Sequence, residues 1–287
     1  MNAPNSSKMT RKFAVVGNPV AHSKSPFIHE SFSRQTGIAL SYDRLCATVD
    51  AFESTVSDFF LKGGCGLNIT VPFKEQAWAL AQEGLSERAR IAGAVNTLWQ
   101  ENGVLKGCNT DGVGLLTDLH RLNANPEHKR VLLIGAGGAS KGVIFPLLEA
   151  GCAHLHVINR TAERALALRD SVISYTPDAA ERLHAGALDS PDGAWDIVIN
   201  ATSSSMGDRA PAVSNLQLNP NALAYDMFYA AEPTAFMRFA QEAGADRVSD
   251  GLGMLVGQAA ASFQIWNGVL PDIDPVLATL RQQITHG

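Results

Sequence analysis

A chain of 287 residues, 46% hydrophobic and 18% charged, is long enough for two globular domains and far from the composition of a disordered segment. Its net charge of −5 offers nucleic acid no electrostatic footprint, and no apolar run approaches the ~20 residues that a membrane-spanning helix needs. Cys46, Cys65, Cys108 and Cys152 form no C-x-x-C pair, which argues against a disulfide framework or a zinc site and for buried free thiols.

Residues 1–11 are polar, lack the apolar core of a secretory signal and read as the frayed leader of a cytoplasmic protein. A short apolar strand over 12–17 ends in the turn Gly17-Asn18-Pro19. Ser25 then reads as the N-cap of a helix with Pro26 in its first position and Phe27, Ile28 and Phe32 on one face. A strand over 41–49, a helix over 51–62 closed by Gly63-Gly64, and a strand over 66–71 stopped by Pro72 follow. Residues 73–81 read as a helix, and Ser86-Glu87 as the polar start of another. Residues 94–99 and 104–106 pair as a hairpin across Glu101-Asn102-Gly103, an Asn-Gly turn. This alternation predicts an α/β domain with a largely parallel sheet.

Asn109-Thr110-Asp111-Gly112 opens a helix over 113–122 that bridges to a second unit, with 123–128 as the linker. Strands over 131–134, 154–158, 196–200 and 222–226 then alternate with helical segments, as in a doubly wound, Rossmann-type α/β unit. Pro146 removes one bond from the first of these helices and is expected to kink it. Residues 252–266 and 275–284 read as two helices without strands of their own. The domains expected are a substrate unit (1–111), a dinucleotide unit (112–250) and C-terminal helices (251–287).

The chemistry begins at Gly135, Gly137 and Gly138, a glycine turn between strand and helix that suits a pyrophosphate held on backbone N–H groups. Ser140 stands where the third glycine of G-x-G-x-x-G belongs. About 24 residues after Gly135, where an NAD site carries an acid for the ribose 2′-hydroxyl, the chain has Asn159, Arg160 and Thr161, with Arg164 one turn on. Guanidinium groups grip a 2′-phosphate, so these residues point to NADP, although both arginines also suit a solvated helix start. Lys74 reads either as a lysine snorkelling to solvent or as a catalytic proton carrier, and Asp111 as an N-cap. Ser23 and Ser25 ahead of a helix suit a carboxylate or a simple cap. Gln258, on a helix rich in glycine and alanine, has the pattern of an exposed amide. Eight histidines show no metal-binding spacing.

Eight blocks in order carry a resemblance over most of the chain. They are Asn-Pro-Val-Ala-His-Ser-Lys-Ser-Pro from Asn18, Asn-Ile-Thr-Val-Pro-Phe-Lys from Asn68, Ala-Gly-Ala-Val-Asn-Thr-Leu from Ala92, and Asn-Thr-Asp-Gly-Val-Gly from Asn109. Gly-Ala-Gly-Gly-Ala-Ser from Gly135, Asn-Arg-Thr from Asn159, Tyr-Asp-Met-Phe-Tyr from Tyr225 and Asp-Gly-Leu-Gly-Met-Leu-Val-Gly-Gln from Asp250 complete them. Together they resemble the shikimate dehydrogenase family, in which Ser140 in the third-glycine place is also the pattern.

The resemblance implies interconversion of 3-dehydroshikimate and shikimate by hydride transfer at C3 with NADP(H), a step of aromatic amino acid biosynthesis. It implies that Ser23, Ser25 and Tyr229 hold the substrate carboxylate and that Thr70, Asn96, Asp111 and Gln258 bind ring hydroxyls. Lys74 and Asp111 are its catalytic dyad. Gly135, Ala136, Gly137, Gly138 and Ala139, with Asn159, Arg160, Thr161, Arg164 and Glu87, are its cofactor contacts, and Met227 and Gly251 lie against the nicotinamide. It returns the C-terminal helices to the first domain and places a hinge near Asp111 and Gly251. The expected partner is a small molecule, with no nucleic acid, no membrane and no metal, and the expected state is monomer or homodimer. The rivals are a quinate/shikimate dehydrogenase using NAD and a non-catalytic NADP-binding sensor.

Overall fold

The computed structural model describes residues 10–189 and 191–286; most of the polar leader, residues 1–9, lies outside them. Two sheets divide the chain. In the first, β1 (Arg11–Gly17), β2 (Leu40–Cys46), β3 (Gly64–Ile69), β4 (Thr97–Glu101) and β5 (Val104–Cys108) lie in the order β2-β1-β3-β4-β5. β1 runs parallel to β2 and β3, and the β4–β5 hairpin adds antiparallel strands at one edge. Asn102 and Gly103 turn that hairpin with φ of 52° and 79°, the positive values a two-residue Asn-Gly turn requires. Around this sheet stand α1 (Ser25–Thr36), α2 (Phe52–Leu61), α3 (Lys74–Leu80) and α4 (Glu87–Ala92).

α5 (Asp111–Arg121) leads to the second sheet. Its strands are β6 (Arg130–Ile134), β7 (His154–Asn159), β8 (Leu183–Ala187), β9 (Ala194–Asn200), β10 (Gln217–Asp226) and β11 (Arg247–Ser249). All pair in parallel, in the order β11-β10-β9-β6-β7-β8. α6 (Gly138–Glu149) and α7 (Ala162–Tyr175) cover one face, and α8 (Ala235–Glu242) packs on the other near β10 and β11. α9 (Leu252–Asn267) and α10 (Asp274–His286) then leave this sheet. Leu252, Val256, Phe263, Val276 and Leu280 pack with Ile28 and Phe32 of α1 in one buried cluster. That cluster is the surface the two strandless helices needed.

Several sequence expectations change. β8 and β11 are additional edge strands: β8 has one buried residue and β11 only three residues, so neither leaves a long apolar run. β2 stops at Cys46, and residues 49–51 form a 3₁₀ turn before α2. Lys24, not Ser25, is the N-cap of α1, and no side chain caps it; Ser25 lies within the first turn. α6 runs unbroken through Pro146, which packs against Gly112 of α5. Cys108 and Cys152 are buried, Cys65 is half-buried and Cys46 is exposed.

α5 and α9 cross at glycines. A Cβ on Gly114 would sit 2.5 Å from the Met254 carbonyl oxygen and 2.6 Å from the Gln258 nitrogen. One turn away, Asp118 is wholly buried, accepting from the Tyr225 hydroxyl (2.7 Å) and Arg121 Nε (2.8 Å). This crossing holds the two sheets together and places Gln258 of α9 beside Asp111 of α5.

On the face opposite α6 and α7, three imidazoles crowd together. His154 stacks on His184 at 4.3 Å between ring centroids, and His156 lies 6.4 Å from His184. Arg130 lies over the adjacent Trp195 ring. Burial, reinforced by the Arg130 charge and the neighbouring rings and opposed by Asp192, lowers His154 to about 4. His156 falls to about 4 for the same reasons. In the unfolded chain these rings take a proton near the ordinary value of 6.5. The unfolded state therefore binds more protons between pH 6.5 and 4, and stability drains away as the pH falls through that window. We expect His156→Gln to flatten the decline of Tm across this window; a slope equal to that of the wild type would refute the assignment.

Candidate active site

A cleft of about 440 Å³ opens between the two sheets, at the C-terminal ends of β1 and β3. Ser23, Ser25, Thr70, Lys74, Asn96, Asp111, Met227, Tyr229, Gly251 and Gln258 all line it. The sequence had spread these residues over some 235 positions.

Lys74 is aimed by the end of β3. The strand stops at Ile69, residues 70–73 turn, and Lys74 begins α3. Its Nζ donates to Asp111 Oδ2 at 2.6 Å. The side chains are 22% and 9% exposed, so the pair is screened from bulk water yet open to the cleft. Asp111 is the first residue of α5, where N-terminal N–H groups favour a carboxylate. Thr110 occupies the N-cap place, which leaves the Asp111 carboxylate to partners in the cleft. Asn96 Nδ2 donates to its other oxygen at 2.8 Å. A carboxylate so satisfied holds the ammonium group of Lys74 in one position, and that group carries further N–H bonds for a substrate oxygen.

The ends of the cleft differ in character. Ser23 and Ser25 lie at the N-terminus of α1, with the Ser25 N–H donating to Ser23 Oγ (3.3 Å) and Arg44 fixing the Ser23 carbonyl through its Nη2 (2.6 Å). Two hydroxyls at a helix start form a carboxylate site. Tyr229 faces the same cleft; burial, and then the Asp250 charge, pushes its phenol up, so it remains a donor. Gln258 is not the exposed amide its helix suggested: Nε2 donates to the Leu255 carbonyl (3.0 Å), and Oε1 faces Asn96 Nδ2 (3.4 Å).

At the cofactor end, Gly135 has φ of 112°, a conformation open to glycine, and its N–H bonds the Ile158 carbonyl at 2.7 Å. A Cβ on Gly137 or Gly138 would meet nothing within 4 Å, and no side chain caps α6. Open space over uncapped N–H groups fits a pyrophosphate. Ala136 and Ala139 are half-buried beside it. Ser140 is fully buried and donates to the Gly135 carbonyl at 2.7 Å, so a hydroxyl ties the turn where a third glycine would only make room. Arg160, Thr161 and Arg164 are exposed at the end of β7, while Asn159 Nδ2 closes the local turn on the Thr161 carbonyl at 2.9 Å. These donors fit a 2′-phosphate. Glu87 does not join them: it starts α4 beside Glu149, at the opposite end of α6 from the glycine turn.

Two supports were not read from the sequence. Asp226 is a buried carboxylate that accepts from Ser205 Oγ (2.6 Å), Thr234 Oγ1 (2.6 Å), Asn200 Nδ2 (3.1 Å) and the Phe228 N–H (3.1 Å). It joins the turn carrying Met206 to the segment carrying Met227 and Tyr229. Gly251 lies against that segment, where a Cβ would come within 2.6 Å of the Met227 carbonyl carbon. The second support is the set of buried hydroxyls and amides behind Asn96, made by Asn68, Thr97, Thr110 and Ser262. The available signal was polar residues inside otherwise apolar runs.

Three family models match the chain: "Shikimate dehydrogenase substrate binding domain" over residues 15–98, "Shikimate / quinate 5-dehydrogenase" over 119–208 and "Shikimate 5'-dehydrogenase C-terminal domain" over 251–281. The shikimate dehydrogenase (NADP(+)) of Bordetella avium is 56% identical over 274 residues, 96% of each chain. Shikimate 5-dehydrogenase of Thermus thermophilus, solved in complex with NADP(H) and shikimate, is 34% identical with a TM-score of 0.82, over 95% of this chain and 99% of that one. The 5-ketofructose reductase of a Gluconobacter strain, 29% identical over 96% of this chain and 99% of that one, has the same TM-score of 0.82.

Proposed function

The chain belongs to the shikimate dehydrogenase family, and on that premise we propose how its own residues carry the family's reaction. It is an oxidoreductase that interconverts 3-dehydroshikimate and shikimate with NADP(H), within aromatic amino acid biosynthesis. The observation that carries our assignment is the 2.6 Å bond between Lys74 and Asp111 inside the cleft.

Ser23, Ser25 and Tyr229 anchor the substrate carboxylate, and Thr70, Asn96, Asp111 and Gln258 take its ring hydroxyls. Bound NADPH supplies the hydride for C3, and NADP+ accepts it in the reverse direction. Lys74 gives its proton to the C3 oxygen as negative charge develops there, and takes the hydroxyl proton in reverse. Asp111 orients Lys74 and offsets its charge. Gly135, Ala136, Gly137, Gly138 and Ala139 hold the pyrophosphate, Met227 and Gly251 face the nicotinamide, and Asn159, Arg160, Thr161 and Arg164 hold the 2′-phosphate end. Residues 1–111 with the helices of 251–287 form the substrate unit and 112–250 the cofactor unit, closing about Asp111 and Gly251. The enzyme acts on its small substrate in the cytoplasm as a monomer or homodimer, without nucleic acid or membrane.

Arg160→Ala is expected to weaken NADP+ by about 1–3 kcal/mol, the range for a lost charged hydrogen bond, while sparing NAD+. Titration calorimetry with both nucleotides checks this, and equal losses would remove Arg160 from the 2′-phosphate site. The function itself is tested by incubating purified protein with shikimate and NADP+ and following NADPH absorbance. Tight NADP+ binding with no NADPH formed would make the chain a sensor and overturn the assignment.

A further inference from the structure

Behind the dyad, one hydroxyl on the C-terminal helix α9 meets three polar side chains from three other segments. Ser262 is fully buried. Its Oγ accepts from Asn68 Nδ2 at 3.0 Å, shares hydrogen bonds with Thr97 Oγ1 (2.8 Å) and Thr110 Oγ1 (3.2 Å), and lies 3.0 Å from the Gln258 carbonyl. Both threonine hydroxyls also reach Asn96 Oδ1, Thr97 at 2.8 Å and Thr110 at 3.1 Å, and the Thr110 N–H donates to the same oxygen at 2.9 Å. The far side of the Asn96 amide then gives its N–H to Asp111 Oδ1.

We propose that Ser262 is a positioning residue, setting the Asn96 amide that holds Asp111 and keeping the Lys74–Asp111 dyad in register with Gln258. This inference rests on the dyad assignment above. Each hydroxyl has one proton to donate and can accept more than one, so the three hydroxyls and two amides share donors and acceptors, and the loss of one member redistributes the bonds of the rest. Removing the Ser262 hydroxyl takes one partner from each of Asn68, Thr97 and Thr110, and the bonds left to them run mainly to Asn96. The threonines then compete for Asn96 Oδ1, and the amide plane turns away from Asp111. The same loss frees α9 to shift by a few tenths of an ångström, carrying Gln258 with it. Ser262 touches no reacting atom, so its effect must travel through the orientation of Asn96.

The test is kcat across pH for folded Ser262→Ala, Thr97→Val and the double variant, with Tm measured on each. Ser262→Ala should lower kcat about tenfold, as for a dyad held out of alignment. The acid limb of the kcat–pH profile should move with it, because Asp111 Oδ1 loses the hydrogen bond that Asn96 donates. Thr97→Val should reproduce both changes, and the double variant should be no worse than the poorer single, as for residues that act as a unit. Unchanged kcat and limb in folded Ser262→Ala, or additive losses in the double variant, would overturn the proposal. Lys74→Ala serves as the control. If it keeps its kcat, the dyad assignment itself falls; if it loses kcat while Ser262→Ala shifts nothing, only the role of Ser262 falls.

Discussion

Lys74→Ala should lower kcat by roughly 10²–10⁴-fold, the usual loss when a positioned general acid–base is removed, with a much smaller change in KM. The side chain lies 2.6 Å from Asp111, partly screened from water, at the base of the cleft that the substrate residues line. Truncation leaves the carboxylate in place, still held by Asn96 at 2.8 Å, so the anion site and hydroxyl contacts persist and binding suffers little. The C3 oxygen must then exchange its proton with water, which reaches it without the orientation the lysine gave. Asp111→Ala should cost a comparable factor, and the double variant little more than either single, because the two side chains act through one bond. Steady-state kinetics of both singles and the double check this. A Lys74→Ala enzyme with unaltered kcat would remove Lys74 from the mechanism.

Gly114→Ala should destabilise the protein by about 3 kcal/mol, the upper part of the range for overpacking a close contact. The added carbon would stand 2.5 Å from the Met254 carbonyl oxygen and 2.6 Å from the Gln258 nitrogen. Both are backbone atoms of α9, and no side-chain rotation relieves them. Only separation of α5 from α9 does, and that separation draws Gln258 from Asn96 and strains the buried Asp118–Tyr225 bond of 2.7 Å. Calorimetry should show Tm lowered by roughly 6–12 °C, taking about 2–4 °C per kcal/mol for a chain of this size. An unchanged Tm would mean that the helices are not held at this crossing.

The fold was legible where hydrophobic patterning is strong. The buried strands of both sheets and the Asn102-Gly103 hairpin follow from apolar runs and turn chemistry. β8 and β11 were not legible, because edge strands carry fewer buried residues than central ones. The cofactor end could be read from local spacing, since a glycine turn and the residues ending the next strand lie within one βαβ unit. The dyad could not be read from spacing: Lys74 and Asp111 are 37 positions apart and each has an ordinary structural role in its own segment. For Lys74, Asp111, Ser23 and Ser25 the residues left structural and functional readings open, and the family resemblance chose between them; the roles of Tyr229 and Gln258 came from the resemblance alone. Residue patterning pointed Gln258 outward, and tertiary packing of α9 on α5 turned it into the cleft. Asp226 stood in a resembling block without a role of its own and Ser262 in none, because a buried polar group is recognisable only once its partners are in place. Glu87 went the other way, drawn to the cofactor by resemblance and placed by α4 at the far end of α6.

The central claim is that this cleft reduces and oxidises shikimate-type substrates with a 2′-phosphorylated cofactor. It is tested most directly by kcat/KM for shikimate and for quinate, each with NADP+ and with NAD+. We expect the largest of the four values for shikimate with NADP+. A larger value for quinate with NAD+ would contradict it.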